Sequence, residues 1–158
     1  MSHIQSKKIV YRDNSTDLEG ILVFDASSKV AVPGLVMAPN WMGVTDASVS
    51  LAEKAVAQGY VVLIADLYGQ GRRPSSAEEA GEIMMTVKNT PQEVGRMALA
   101  IAPLQAKSAA TVIVANTVLY GLCLGGDIVP ELARSGAALQ QAATFLCVLD
   151  TCGPLYAL

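Results

Sequence analysis

Hydrophobic and polar positions switch repeatedly between a two-residue and a 3.6-residue period along this chain, and the switches outline its elements. Lys8–Arg12 and Leu18–Phe24 carry strand-forming residues on either side of Asp13-Asn14-Ser15-Thr16-Asp17, a spacing that predicts an antiparallel pair at a sheet edge. Gly34–Ala38 is a short apolar run closed by Pro39-Asn40, which predicts a buried strand feeding the loop 39–45. Asp46 is placed to cap a helix reaching about Gln58, with Leu51, Ala52, Ala55 and Val56 on one face and Gly59 as its stop. Tyr60–Ala65 is almost wholly apolar and β-branched, the pattern of a parallel strand covered on both faces.

Two overlapping boxes, Ser75-x-x-Glu78 and Ser76-x-x-Glu79, predict the next helix start, with Ala80, Ile83, Met84 and Val87 inward. Asn89-Thr90-Pro91 ends that helix, and Pro91 opens another with Val94, Met97, Ala98 and Ile101 inward, ended or kinked at Pro103. Thr111–Leu119 reads as a strand, the stretch up to Ser135-Gly136 as a helix, and Ala142–Leu149 as a last buried strand. Apolar strands alternating with helices predict an α/β fold: a three-layer αβα sandwich on a mostly parallel sheet, with loops at the strand carboxyl ends forming the site. There are no internal repeats or linkers, so residues 1–158 read as a single domain.

Composition narrows the function classes. With 52% hydrophobic and 16% charged residues the chain has enough apolar material for a core, and no disordered tract. Its apolar runs are strand-length, which excludes a bilayer span and a membrane partner. The first eight residues lack an apolar signal core, and Cys123, Cys147 and Cys152 form an odd set without metal-ligand spacing. Reduced thiols and a cytoplasmic location are the expectation, with no metal and no cofactor. A net charge of −3 and the lack of any Lys/Arg run argue against a nucleic-acid partner.

The candidate chemistry lies in Gly121-Leu122-Cys123-Leu124-Gly125, which follows an apolar strand and matches a nucleophile elbow, Gly-x-nucleophile-x-Gly. The strained strand-to-helix turn needs small residues two positions to either side of the nucleophile, and a helix starting there lowers the thiol pKa. The competing reading is a small buried core cysteine in a Gly-rich turn. Gly69-Gln70-Gly71 after a strand offers a weaker nucleotide-binding reading, against which Pro74 stands where the fingerprint needs its third glycine and no acid ends the next strand.

The combination Gly34-Leu-Val-Met-Ala-Pro-Asn-Trp-Met-Gly-Val44, Gly59-Tyr-Val-Val-Leu-Ile-Ala-Asp-Leu-Tyr-Gly69, Gly121-Leu-Cys-Leu-Gly-Gly126 and Glu131-Leu-Ala-Arg-Ser-Gly136 resembles the dienelactone hydrolase (carboxymethylenebutenolidase) family, from about residue 8 onward. The likeness is to the first two-thirds of such a protein, which implies a C-terminally truncated, incomplete α/β-hydrolase fold. It implies that Cys123 is the nucleophile and that the backbone N–H groups of Leu124 and Trp41 form the oxyanion hole; the Trp41 ring could at the same time plug the core beneath its loop. Substrates implied are small lactones or esters bearing a carboxylate, for which Arg72 and Arg73 are the candidate cations beside ordinary surface arginines. Asn40 stands where some members have a glutamate touching the resting cysteine, and an amide cannot take that proton.

Against this, the triad acid and histidine should follow the nucleophile in chain order. Only 35 residues follow Cys123, whereas the two missing strand-to-loop units need about 30 residues apiece. The sole histidine, His3, lies ahead of the first strand in a tail expected to be mobile. Asp127 reads as a helix cap, Glu131 lies on the elbow helix and Asp150 is a weak acid candidate; Cys147 and Cys152 read as core or edge thiols. Pro130 either interrupts the elbow helix or, with Asp127 as cap, falls in its first turn. Two functions therefore stay open: a lactone- or ester-cleaving hydrolase with impaired turnover, or a noncatalytic remnant acting as an interaction module. An apolar last strand left as the sheet edge would invite self-association.

Overall fold

The computed structural model describes residues 3–107, 112–122, 124–134 and 141–145. Among these described residues six strands form one sheet in the order β1-β2-β4-β3-β5-β6. β1 (Ile4–Asp13) and β2 (Thr16–Asp25) are longer than the sequence pattern suggests, because every residue of the hairpin pairs up to a two-residue turn with Asn14 at φ 48. Asparagine tolerates that left-handed conformation.

β3 (Val32–Ala38) pairs in parallel with both β4 (Val61–Ile64) and β5 (Val112–Leu122), and β5 pairs in parallel with β6 (Gln141–Phe145). β2 meets both β1 and β4 antiparallel. The sheet is therefore mixed, not mostly parallel as periodicity suggested. The apolar run in β4 reports burial on two faces and says nothing about the direction of its neighbour.

Burial divides β3 residue by residue. Leu35 and Met37 pack with Val62, Ile64 and, from α1 (Asp46–Ala57), Ala52 and Val56. Val36 and Ala38 face the other way, onto Val87 of α2 (Ala77–Val87), Met97 of α3 (Pro91–Leu99) and Leu104 of α4 (Ile101–Lys107). Ile128, Val129 and Leu132 of α5 (Leu124–Arg134) complete that second layer. The alternation of a strand thus carries two apolar surfaces, each closed by helix. Among the described residues no helix is long and apolar enough to cross a membrane.

Local chemistry corrects several boundaries. Thr45, one residue before Asp46, caps α1: its hydroxyl accepts from the Ser48 N–H at 3.3 Å while Ser48 Oγ accepts from the Thr45 N–H at 2.9 Å. Ser76 caps α2, but Glu79 reaches past it to the Ser75 N–H and hydroxyl, so the two overlapping boxes share one carboxylate. The break between α3 and α4 falls at Ala100, ahead of Pro103, which sits in the first turn of α4 where its missing N–H costs nothing. α5 starts at Leu124, so Asp127 is not its cap and Pro130 lies inside the helix, depriving the carbonyl of residue 126 of its donor. Asp150, Cys147 and Cys152 lie outside the described residues.

Candidate active site

Three strand ends converge. Ala38 of β3 stands opposite Gly121 of β5, Met37 opposite Ile64 of β4, and the Ala65 N–H donates to the Met37 carbonyl at 2.9 Å. The loop 39–45, the segment 65–76 and the junction between β5 and α5 therefore leave one end of the sheet. A single residue, Cys123, separates Leu122 of the strand from Leu124 of the helix; it lies outside the described residues.

The loop after β3 is a tight, internally bonded turn. Asn40 Oδ1 accepts from the Met42 N–H at 3.0 Å, and the Asn40 carbonyl accepts from the Gly43 N–H at 2.9 Å. That is the side-chain-to-backbone turn asparagine favours, and it occupies the amide oxygen. Gly43, at φ 73, is required twice: the angle suits glycine, and a Cβ there would stand 3.0 Å from Cδ2 and Cε2 of Tyr68. The Trp41 side chain packs against the core cluster beneath the loop, and its carbonyl accepts from the Tyr68 hydroxyl at 2.5 Å. Among the described residues nothing accepts from the Trp41 N–H. The ring thus takes the core position that the sequence offered for Trp41. A cavity of about 410 Å3 opens beside Asn40, between this loop and α1, with Met37, Pro39, Ser48, Leu51 and Lys54 on its walls.

Asp66, just beyond β4, is 1% exposed. Its carboxylate accepts from the N–H groups of Glu19 (2.9 Å), Tyr68 (3.0 Å) and Gly69 (3.1 Å) and faces Arg73 at 3.5 Å. Such saturation is what a buried carboxylate requires. Arg73 also donates to the Glu19 carbonyl at 2.6 Å, so this member of the basic pair is committed to the frame; Arg72 is exposed. Arg96 of α3 holds the Leu67 carbonyl at 2.7 Å and Asp13 at 3.0 Å, tying the hairpin tip to the same segment. Asp66 and Tyr68 stand in the segment Gly59–Gly69, where residue type and spacing alone assign them no role. The available signal was an acid ending an all-apolar strand, which must find partners once buried.

Tyr11 closes the network from β1: its hydroxyl accepts from the Asp66 N–H at 2.8 Å and donates to the Asp66 carbonyl at 3.4 Å. Burial, opposed in part by the Asp66 backbone bond, holds its phenol well above the usual tyrosine value. A phenol with a higher folded than unfolded pKa contributes stability that is complete below the unfolded value, about 10, and is lost as pH rises above it. Urea midpoints should therefore drop more between about pH 9 and about pH 11 in the native chain than in Tyr11→Phe. Identical drops would contradict the assignment.

His3 is not loose: its N–H donates to Asp25 Oδ1 at 2.9 Å and its carbonyl accepts from the Ala26 N–H. Because Val23 stands opposite Val62 while β2 runs antiparallel to β4, Asp25 and His3 lie at the sheet end away from the converging loops. Of the residues expected at the site, the structure brings Asn40, Trp41, Arg72 and Arg73 to one end of the sheet, with Leu124 starting the helix there.

The dienelactone hydrolase family model matches residues 18–151. The chain belongs to the dienelactone hydrolase family. That family is one of hydrolases, and the fold is α/β-hydrolase-like. A solved structure named m3DLH is similar at 30% identity and a TM-score of 0.81, over 91% of this chain and 60% of its own. A dienelactone hydrolase-like promiscuous phosphotriesterase from metagenomic libraries is 26% identical with a TM-score of 0.81, over 91% of this chain and 59% of its own. A dienelactone hydrolase from Anabaena variabilis, at 16% identity and a TM-score of 0.66 over 89% of this chain and 62% of its own, shares the fold. The chain thus spans about 60% of the length of the first two of these relatives. Among curated proteins none matches the sequence.

Proposed function

We propose that this chain carries the nucleophile and oxyanion hole of a dienelactone hydrolase-type site, with Cys123 attacking a small lactone or ester. The observation that carries the reading is the register of Ala38 opposite Gly121, which brings the Trp41 loop beside the one-residue step from β5 into α5. The N-terminus of α5 favours the thiolate of the residue before it. Its sulfur forms a bond to the ester carbonyl carbon, and the displaced electron pair on oxygen is met by the N–H groups of Leu124 and Trp41. Collapse of that oxyanion breaks the C–O bond and releases the alkoxide, which takes a proton from water; attack by a second water on the thioester returns the thiolate and frees the acid. The cavity beside Asn40 is of a size that accepts a small ligand. With Arg73 paired, Arg72 is the cation we retain for a substrate carboxylate.

A second reading has its own support: the sequence holds one histidine, and His3 stands at the far end of the sheet. We infer that the triad is impaired in this chain, leaving proton transfer to solvent and the acyl-enzyme long-lived, and in the limit a noncatalytic module with a reactive thiol. Residues 1–158 then act as one α/β-hydrolase unit, in the reducing cytoplasm that an odd set of three cysteines without metal-ligand spacing suits. Among the described residues β6 pairs on one side alone, with β5, and we propose self-association through its other side.

The test is mass spectrometry of the full chain after p-nitrophenyl acetate. One acetyl group should sit on Cys123, and Cys123→Ala should carry none there. Nitrophenol release that is equal in both proteins would overturn the nucleophile. Rapid alkylation of Cys123 by iodoacetamide with no acetylation would favour the noncatalytic module.

A further inference from the structure

We propose that Tyr68 is a positioning residue for acyl transfer: its hydroxyl holds the Trp41 carbonyl and thereby aims the Trp41 N–H at the oxyanion. The inference rests on the role given to Trp41 above and concerns a residue that does not touch the substrate.

The peptide between Trp41 and Met42 is tethered at both polar groups, the carbonyl by Tyr68 Oη at 2.5 Å and the N–H by Asn40 Oδ1 at 3.0 Å. The Trp41 N–H belongs to the preceding peptide, whose Asn40 carbonyl accepts from the Gly43 N–H at 2.9 Å; with the planes on both sides of the Trp41 Cα held, little rotation is left to this N–H, which has no acceptor among the described residues. An oxyanion donor has to be aligned before charge develops, because reorganisation during the reaction is what preorganisation removes. Asn40 supplies half of that alignment, but it sits in the turn it stabilises and moves with it. Tyr68 supplies the half anchored elsewhere.

Its anchorage is strong. Tyr68 is 1% exposed, its N–H is held by the buried Asp66 carboxylate at 3.0 Å, and its ring lies 3.0 Å from where a Cβ on Gly43 would stand. Asp66 is in turn fixed by Glu19, Gly69 and Arg73. A rigid column therefore runs from Arg73 through Asp66 and Tyr68 to the Trp41 carbonyl, linking the end of β4 to the loop after β3. This assigns a use to the Asp-Leu-Tyr-Gly segment that packing alone does not require, since phenylalanine would fill the same space.

Tyr68→Phe keeps the ring and removes the tether. Acetylation of Cys123 by p-nitrophenyl acetate should slow about ten- to a hundredfold, the scale of a donor displaced by a fraction of an ångström to an ångström. Alkylation by iodoacetamide should stay within about twofold, because displacement at a saturated carbon develops no oxyanion and needs only the thiolate. Exchange of the Met42 amide hydrogen, followed by NMR, should quicken about tenfold as its turn loosens. Equal slowing of acetylation and alkylation would show general damage and overturn the positioning role, as would unchanged acetylation or unchanged Met42 exchange. Cys123→Ala separates the two readings: if it abolishes acetylation while Tyr68→Phe leaves it intact, only the Tyr68 inference fails, whereas release of nitrophenol by Cys123→Ala at the native rate removes the reading on which it stands.

Discussion

Asp66→Ala is expected to destabilise the protein by about 3–5 kcal/mol, the range for removing one partner from a buried charged network. The carboxylate is the common acceptor for three backbone N–H groups and faces the half-buried Arg73 guanidinium. Deleting it strands those donors in a site that water does not reach, and each orphaned donor costs more than its bond contributed. Asp66→Asn separates charge from shape. Its oxygen can still accept from Tyr68 and Gly69, but its NH2 group then faces the Glu19 N–H, donor against donor, so a loss of about 2 kcal/mol is expected. The check is urea unfolding of the three proteins at neutral pH, read as a shift in midpoint at constant slope. A loss below about 1 kcal/mol for Asp66→Ala would mean that this carboxylate is not the closure of the loop frame.

Gly20→Val is the second large effect, expected at about 3 kcal/mol and measured the same way. A Cβ on Gly20 would stand 2.6 Å from the carbonyl oxygen of Ile64, a backbone atom held in the sheet, and 3.3 Å from Leu63 Cδ1 and from the Tyr11 ring. The two side chains can give by a few tenths of an ångström, but the Ile64 carbonyl is backbone; β2 and β4 must separate, and the Asp66 segment begins two residues beyond Ile64. Gly20→Ala should destabilise in the same direction by less. The contrast is with Gly81 in α2 and Gly95 in α3, where an added Cβ meets no atom within 4 Å. Alanine at either should stabilise by about 0.5–1 kcal/mol through helix propensity and reduced unfolded-state freedom. If Gly20→Ala also stabilised, the close approach of the strands would be refuted.

These sites mark the boundary between what was legible in the chain and what was not. Helix positions were readable because capping and periodicity are local: Ser76 and Pro91 start α2 and α3 where their chemistry places them, and the one-residue shift of the α1 cap to Thr45 reflects two adjacent residues that can both accept an N–H. Strand existence was readable for the same reason. Strand direction was not, since an apolar run such as Val61–Ile64 looks alike beside a parallel or an antiparallel neighbour, and β2 supplied an antiparallel one. Nor could periodicity tell whether Pro130 begins a helix or sits inside it; the strand running on to Leu122 decided that α5 starts at once.

For the site, the chain alone determined the chemistry on offer: a cysteine between two glycines after an apolar strand, a Trp41 loop, and one histidine placed far upstream. It also determined family membership, because motif order survives in sequence. Only the tertiary structure decided which groups are already spent. It tied Arg73 to Asp66 and Glu19, closed Asn40 on its own turn, fixed His3 at the opposite end of the sheet and joined Tyr68 to the Trp41 carbonyl across 27 positions of sequence. The reason is physical: residue type and spacing set which bonds a side chain can make, while the partner it meets depends on the strand register that brings distant segments within 3 Å, a long-range quantity that no local pattern encodes.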